Sequence, residues 1–318
     1  MKYLNYGILS TASIVPRFIN AVKETKHSTV AAIASRSLQK AEEWASSYDI
    51  PAAYGSYEEL LGSPDIDIVY IAMINSEHFK YAELALKAGK HVLCEKPFTL
   101  TKTEAASLFA LANKQKLFIM EAQKVVFLPV MKKIKEIIAN GTLGNIYMVD
   151  CASSYDVTGY GWYYNAEYGG GVLLGNGIYC LEMAQFIFDC QVSEYAGLCT
   201  RSHTSVEDQF AITFQMENGT LFVNKSSTRV ETQNVAYIYG EKGHIVIPEY
   251  WKARTAVIHF NTGEQQVIEY PCEHELVYEI DHVFECIQSG LTLSPVMTEQ
   301  ITVDSIGVLA DLKNKWEK

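Results

Sequence analysis

The chain has 318 residues, with 26 Lys and Arg against 37 Asp and Glu and a net charge of -11. That length exceeds one ordinary core and predicts two domains, while the acidic balance speaks against nucleic acid and anionic membranes as partners. The longest apolar run, Ile68 to Ile74, is far below a bilayer span, and the start Met1-Lys2-Tyr3-Leu4 carries no signal-peptide pattern.

The first half is read as alternating strands and helices. Strands are predicted over Tyr3–Leu9, Thr29–Ala34, Ile68–Ile74, His91–Leu93 and Phe118–Met120. Each is a short apolar or β-branched run, as expected of strands buried on both faces. Ser56-x-x-Glu59 and Thr101-x-x-Glu104 read as capping boxes that start helices, and Gly89 as a helix stop. This alternation predicts right-handed crossovers and a doubly wound parallel sheet over residues 1–121.

After residue 121 the texture changes. Pro129–Asn140 is an amphipathic helix ended by Gly141. Strand-like segments then follow over Ile146–Tyr155, Val192–Leu198, Phe210–Gln215, Thr220–Lys225, Val235–Tyr239, Val257–Phe260 and Gln265–Tyr270. Turn signals such as Glu217-Asn218-Gly219 imply hairpin-like, antiparallel order. Helices over Gly177–Phe188, Leu276–Ser289 and Thr298–Trp316 suffice for one face of that sheet. Residues 122–318 are therefore read as an α+β domain with a large open, mostly antiparallel sheet. Tyr237, Tyr239, Phe222 and Trp251 are candidates for its uncovered face. Seven cysteines without a C-x-x-C pair predict reduced thiols and a cytoplasmic location. The histidines show no ligand spacing with carboxylates, so no metal is expected.

Three places carry chemistry. The first strand-to-helix turn, Gly7 to Ile14, stands where a dinucleotide fingerprint would lie. It keeps Gly7 but has Ser10 and Ala12 for the later glycines. Small residues still admit a pyrophosphate to backbone N–H groups at the helix start. Gly7, Leu9, Ser10, Thr11, Ala12, Ser13 and Ile14 are thus cofactor candidates. The second strand ends in Ser35-Arg36 rather than an acid. An arginine fork suits a 2′-phosphate, which favours NADP and leaves NAD open. Third, Glu95-Lys96-Pro97 follows a strand, and a lysine at a strand's carboxyl end faces the ligand crevice. The proline keeps Lys96 extended. Ile74, Asn75 and His78 follow the preceding strand at the same edge; His78 is read as a cofactor contact or as a simple helix start.

These segments, with Tyr54-Gly55-Ser56-Tyr57-Glu58-Glu59, Asn75-Ser76-Glu77-His78, Ala88-Gly89-Lys90-His91-Val92-Leu93-Cys94-Glu95-Lys96-Pro97 and Gly169-Gly170-Gly171-Val172, resemble the Gfo/Idh/MocA oxidoreductases over residues 3 to about 190. Met120-Glu121-Ala122 and Gly177-Ile178-Tyr179-Cys180-Leu181 resemble the dimeric dihydrodiol dehydrogenase branch. The resemblance implies a Rossmann domain, an open-sheet domain that commonly mediates homodimers or larger homo-oligomers, and NAD(P)-linked chemistry on a sugar, polyol, diol or related carbonyl. It assigns acid–base work to Lys96 and Tyr179, with Glu95 beside the lysine. A nearby ammonium would lower a phenol's pKa from about 10 toward a useful range. Tyr160, Trp162 and Asn176 are substrate candidates near the same crevice. Two departures stand out. Gly175 replaces the family's usual Asp, and Gln123-Lys124-Val125-Val126 replaces a Trp-x-Arg patch. The lost carboxylate sustains a rival reading, a catalytically weak NAD(P)-binding sensor or regulator.

Overall fold

The computed structural model describes residues 3–157 and 159–316. Met1 and Lys2, part of the start read above for a signal-peptide pattern, lie outside them. The chain forms two compact units, residues 1–123 with 274–299, and residues 124–273 with 300–318.

The first unit holds a six-stranded sheet. Its strands are β1 (Leu4–Leu9), β2 (Ser28–Ala34), β3 (Ala52–Tyr54), β4 (Ile68–Ile71), β5 (His91–Glu95) and β6 (Ile119–Ala122). All pairs are parallel, in the order β3-β2-β1-β4-β5-β6. The order reverses direction at β1 and β4, the switch point whose carboxyl edge forms a ligand crevice in such sheets. The helices are α1 (Val15–Glu24), α2 (Leu38–Tyr48), α3 (Tyr57–Leu61), α4 (His78–Lys87) and α5 (Lys102–Gln115). The α5 capping box is complete, with Thr101 and Glu104 each bonding the other's backbone N–H. A stack of Phe18 on Tyr70, centroids 3.7 Å apart, with Tyr6 edge-on at 5.3 Å, seats α1 on β1 and β4. Gly7 is needed there, because a Cβ would stand 2.6 Å from Leu60 Cδ2.

One later helix changes the expected layout. The helix α8 (Val277–Gln288), anticipated on the second sheet, belongs to the first unit. It lies against α1, and Phe284 stacks on His27 at 4.7 Å. The chain that follows is fixed to β6, where Ile119 N–H donates to Thr292 O at 3.1 Å. Its apolar stripe signals a buried face but does not say which sheet buries it.

The second unit holds α6 (Pro129–Ala139), α7 (Ile178–Phe188) and α9 (Glu299–Trp316) on an eight-stranded sheet. The strands are β7 (Ile146–Ser154), β8 (Val192–Arg201), β9 (Glu207–Met216), β10 (Leu221–Ser227), β11 (Val235–Gly240), β12 (Gly243–Pro248), β13 (Thr255–Phe260) and β14 (Gln265–Glu269). Their order is β14-β13-β12-β11-β7-β10-β9-β8. Every pair is antiparallel except β7 with β10, so the sheet is mostly antiparallel, as expected, with β7 seated between two strands far from it in sequence.

The sheet has a covered and an open face. Phe222, expected on the open face, is fully buried and stacks on Phe214 at 4.6 Å. The opposite residues in register carry Met148, Leu198, Leu221, Tyr239 and Val267, all exposed. Tyr237 stacks on Tyr239, and His244 on His259, along the same surface. A hollow of about 310 Å³ lies there, lined by Asp150, Lys225, Thr232, Gln233, Val235 and Tyr237.

Candidate active site

In the first unit, Lys96 sits just beyond the carboxyl end of β5 and is partly exposed. Three buried side chains brace its loop. Tyr70 Oη donates to Glu95 Oε1 at 2.6 Å, and Lys96 N–H donates to Glu95 Oε2 at 3.3 Å. Phe98 N–H donates to Glu121 Oε1 at 3.0 Å. His78 is fully buried, with Nδ1 2.8 Å from Pro97 O and Nε2 3.1 Å from Met73 O. Burial pulls the His78 pKa down, while the two carbonyls pull it up. The ring is committed to this strut between two loops, so its bearing on a ligand runs through the position of Lys96. The Lys96–Pro97 peptide is cis.

The turn after β1 is shaped by Ser10. Its φ of 121° is a conformation that favours glycine, and it stands where a fingerprint glycine would. Its hydroxyl offsets that strain by donating to Ala72 O at 2.6 Å and accepting from Ala12 N–H at 3.1 Å. The Ser10 hydroxyl is thus spent inside the turn. Thr11, Ala12 and Ile14 are half-buried around it, and Ser13 is exposed. At the second strand end, Ser35 is buried and Arg36 is exposed beside Tyr57. Arg36 makes no hydrogen bond among the described residues. Asn75 is buried and Ile74 half-buried, four and three residues beyond the end of β4.

In the second unit, Tyr179 lies in the first turn of α7, which opens with a π-helical turn over Leu173–Gly177. Lys124 Nζ donates to Tyr179 Oη at 2.9 Å and stands 4.8 Å from the ring centroid. Lys124 is only 8% exposed, so its ammonium is held largely out of water. Asn176 Nδ2 donates to Ser226 Oγ at 2.9 Å, and Ser153 Oγ donates to the same oxygen at 3.0 Å. Trp162 and Tyr160 are half-buried in and beside the short turn Gly161–Tyr164.

The same region accounts for Gly175. A Cβ there would stand 2.3 Å from Tyr163 Oη, so the space of the missing side chain is filled by the Tyr163 ring. Tyr163 is buried, and its hydroxyl has no partner among the described residues. Burial, followed by the nearby Tyr155 and Glu207, drives its pKa far up, so this phenol stays protonated. One turn earlier, Gly171 has φ +115° and meets Glu207, whose Oε2 would be 2.2 Å from a Cβ at that position. Glu207 is 1% exposed, and neither carboxylate oxygen has a partner among the described residues. Gly175 N–H donates to Gly171 O at 3.1 Å, which sets the Glu207 and Tyr163 contacts one helical turn apart.

Residues 4–123 match the family model described as the oxidoreductase family with an NAD-binding Rossmann fold, and residues 131–246 match the GFO/IDH/MocA C-terminal domain. The chain belongs to the Gfo/Idh/MocA oxidoreductase family. It is 33% identical to mouse trans-1,2-dihydrobenzene-1,2-diol dehydrogenase, with 92% of this chain and 91% of that protein covered. Among solved structures, the aldose-aldose oxidoreductase of Caulobacter crescentus, complexed with glycerol, has a TM-score of 0.90 at 23% identity, covering 99% of this chain and 98% of that one. Levoglucosan dehydrogenase, in complex with NADH and levoglucosan, has a TM-score of 0.89 at 18% identity, covering 99% and 97%.

The family's dinucleotide is tested by the first unit's own geometry. No side chain caps α1, but Val15 N–H already donates to Ala12 O at 3.0 Å and Pro16 carries no N–H, so what this turn offers a pyrophosphate is the close approach that its small residues Ser10, Thr11 and Ala12 allow. Arg36 adds an exposed cation at the next strand end. These residues fit an NAD(P)-type cofactor. Lys96 belongs to the first unit and Tyr179 to the second. Within its own unit the Tyr179 phenol is met by Lys124, which the sequence reading noted only as part of a departure from the family's Trp-x-Arg patch. Tyr163 and Glu207 were not singled out, because neither sits in a motif.

Proposed function

We propose that this oxidoreductase transfers hydride between NADP and a sugar, polyol, diol or related carbonyl, with Lys96 and Tyr179 as the acid–base residues. The observation that carries this reading is the braced Lys96 loop. Three buried side chains from separate elements hold a strand-end lysine at the crevice edge, which a surface lysine would not require. The bound nicotinamide would give or take the hydride. Tyr179 would take the alcohol proton during oxidation, or return it during reduction, while Lys96 holds positive charge near the reacting oxygen. Trp162, Tyr160 and Asn176 would shape the substrate pocket.

Initial rates with NADP and with NAD, over a panel of aldoses, polyols and trans-diols, test the reading. Turnover with at least one class is the expected result. Cofactor binding without turnover on any of them would favour the sensor reading that Gly175 motivates. In the same assay, Arg36→Asp should weaken NADP binding by about 1.5–3 kcal/mol, the worth of a charge-assisted hydrogen bond, and leave NAD nearly unchanged. Equal loss for both cofactors would remove Arg36 from the 2′-phosphate.

The open face of the second sheet supports a homodimer, since exposed Leu198, Val267, Met148 and Tyr239 line one surface. Sedimentation at micromolar concentration should give twice the 35.6 kDa chain mass. A single monomeric species would refute this assembly.

A further inference from the structure

The acid–base pair drawn from sequence joins Tyr179 to one lysine. The fold of the second unit gives that phenol another. Lys124 begins the short turn Lys124–Phe127, and Tyr179 begins α7, fifty-five residues later. The ammonium donates to Tyr179 Oη at 2.9 Å from a site that is 8% exposed. A buried ammonium is costly unless it is paired or well hydrogen-bonded. A phenolate would accept that hydrogen bond more strongly than a phenol, because charge-assisted bonds are the stronger ones. Two phenols of this unit also lie within electrostatic reach of Tyr179. Tyr163 approaches from the loop before α7, and Tyr250 from the turn Tyr250–Lys252. Burial keeps both protonated, so neither adds a negative charge that would oppose the phenolate.

We propose that Lys124 is a positioning residue for catalysis: its ammonium fixes Tyr179 Oη and holds the phenol ready to ionise, so the proton-transfer group has its own lysine. This rests on the assignment of Tyr179 above. During alcohol oxidation the phenolate takes the hydroxyl proton and becomes a phenol, and Lys124 stays protonated throughout. The hydride leaves the same substrate for the cofactor, so protons and electrons balance.

The test reads Tyr179 directly and does not need a known substrate. Ultraviolet titration of the full chain, minus the same titration of Tyr179→Phe, isolates the ionisation of this one phenol. Lys124→Met should lower its acidity at least tenfold, and Lys124→Gln, which keeps a donor but no charge, should do the same. Lys124→Arg should stay near the parent protein. If a substrate is in hand, the acid limb of kcat/KM for oxidation should move up with the titration in Lys124→Gln, with cofactor affinity unchanged. A Tyr179 titration that is unmoved in both Lys124→Gln and Lys124→Met overturns the proposal, whatever the activity. A shifted titration in a protein without turnover upholds it and counts against the proposed reaction instead.

Discussion

Tyr179→Phe should cut turnover by about 10²–10⁴-fold, the usual worth of a positioned acid–base group. Removing the hydroxyl takes one acceptor from the buried Lys124 ammonium, so a melting curve beside the assay should show that the variant keeps its fold. Lys96→Met should cost a comparable factor, because it removes positive charge at the crevice edge. The decisive observation is the double variant. Groups that act as one unit lose activity non-additively, so Lys96→Met with Tyr179→Phe should fall little below either single variant. Independent roles would instead multiply the losses. NADP affinity should change much less than turnover in Tyr179→Phe, because the phenol belongs to the second unit and the Rossmann contacts to the first. Full activity in Tyr179→Phe on a verified substrate would shift the proton to another group.

Restoring the family's carboxylate at position 175 should fail. In Gly175→Asp the new Cβ would lie 2.3 Å from Tyr163 Oη and 2.9 Å from two ring carbons. Those atoms are buried and cannot swing into solvent. Overpacking of this kind costs about 1–3 kcal/mol, and an unpaired buried carboxylate adds to it. A melting midpoint several degrees below the parent is the expected result. Tyr163→Phe alone should be close to neutral, since its hydroxyl leaves no partner behind among the described residues. Gly175→Asp combined with Tyr163→Ala should be less destabilised than the two single losses added together, because the second change makes room for the first. Strict additivity would mean that the two positions do not share one space.

How much of this was legible follows from the kind of signal each element carries. Buried parallel strands announce themselves as apolar runs, so β1, β2, β4, β5 and β6 could be read directly. β3 could not, because Ala52-Ala53-Tyr54 is three residues with one large side chain. β12 was hidden between Gly243 and Pro248, two residues that read as turn punctuation. The parallel pairing of β7 with β10 and the return of α8 to the first unit are facts of topology, which local pattern does not encode. The same divide runs through the site. Lys96 lies inside a recognisable motif, while Lys124 owes its place to α7 folding back over it. Gly175 was visible as a loss. Only packing shows that the Tyr163 ring takes the space.

The bracing of the Lys96 loop bears on how such chains are recognised. A search for Glu-Lys-Pro tests three consecutive letters, whereas the loop's geometry is underwritten by Tyr70, His78 and Glu121 as well. A descendant could therefore keep the tripeptide letter for letter and still drift, through a change at His78 or Glu121, into a protein whose lysine points elsewhere. Surveys that count intact tripeptides would score it as an enzyme, and its genealogy would look unbroken. Scoring the six positions together asks whether the loop itself has been inherited.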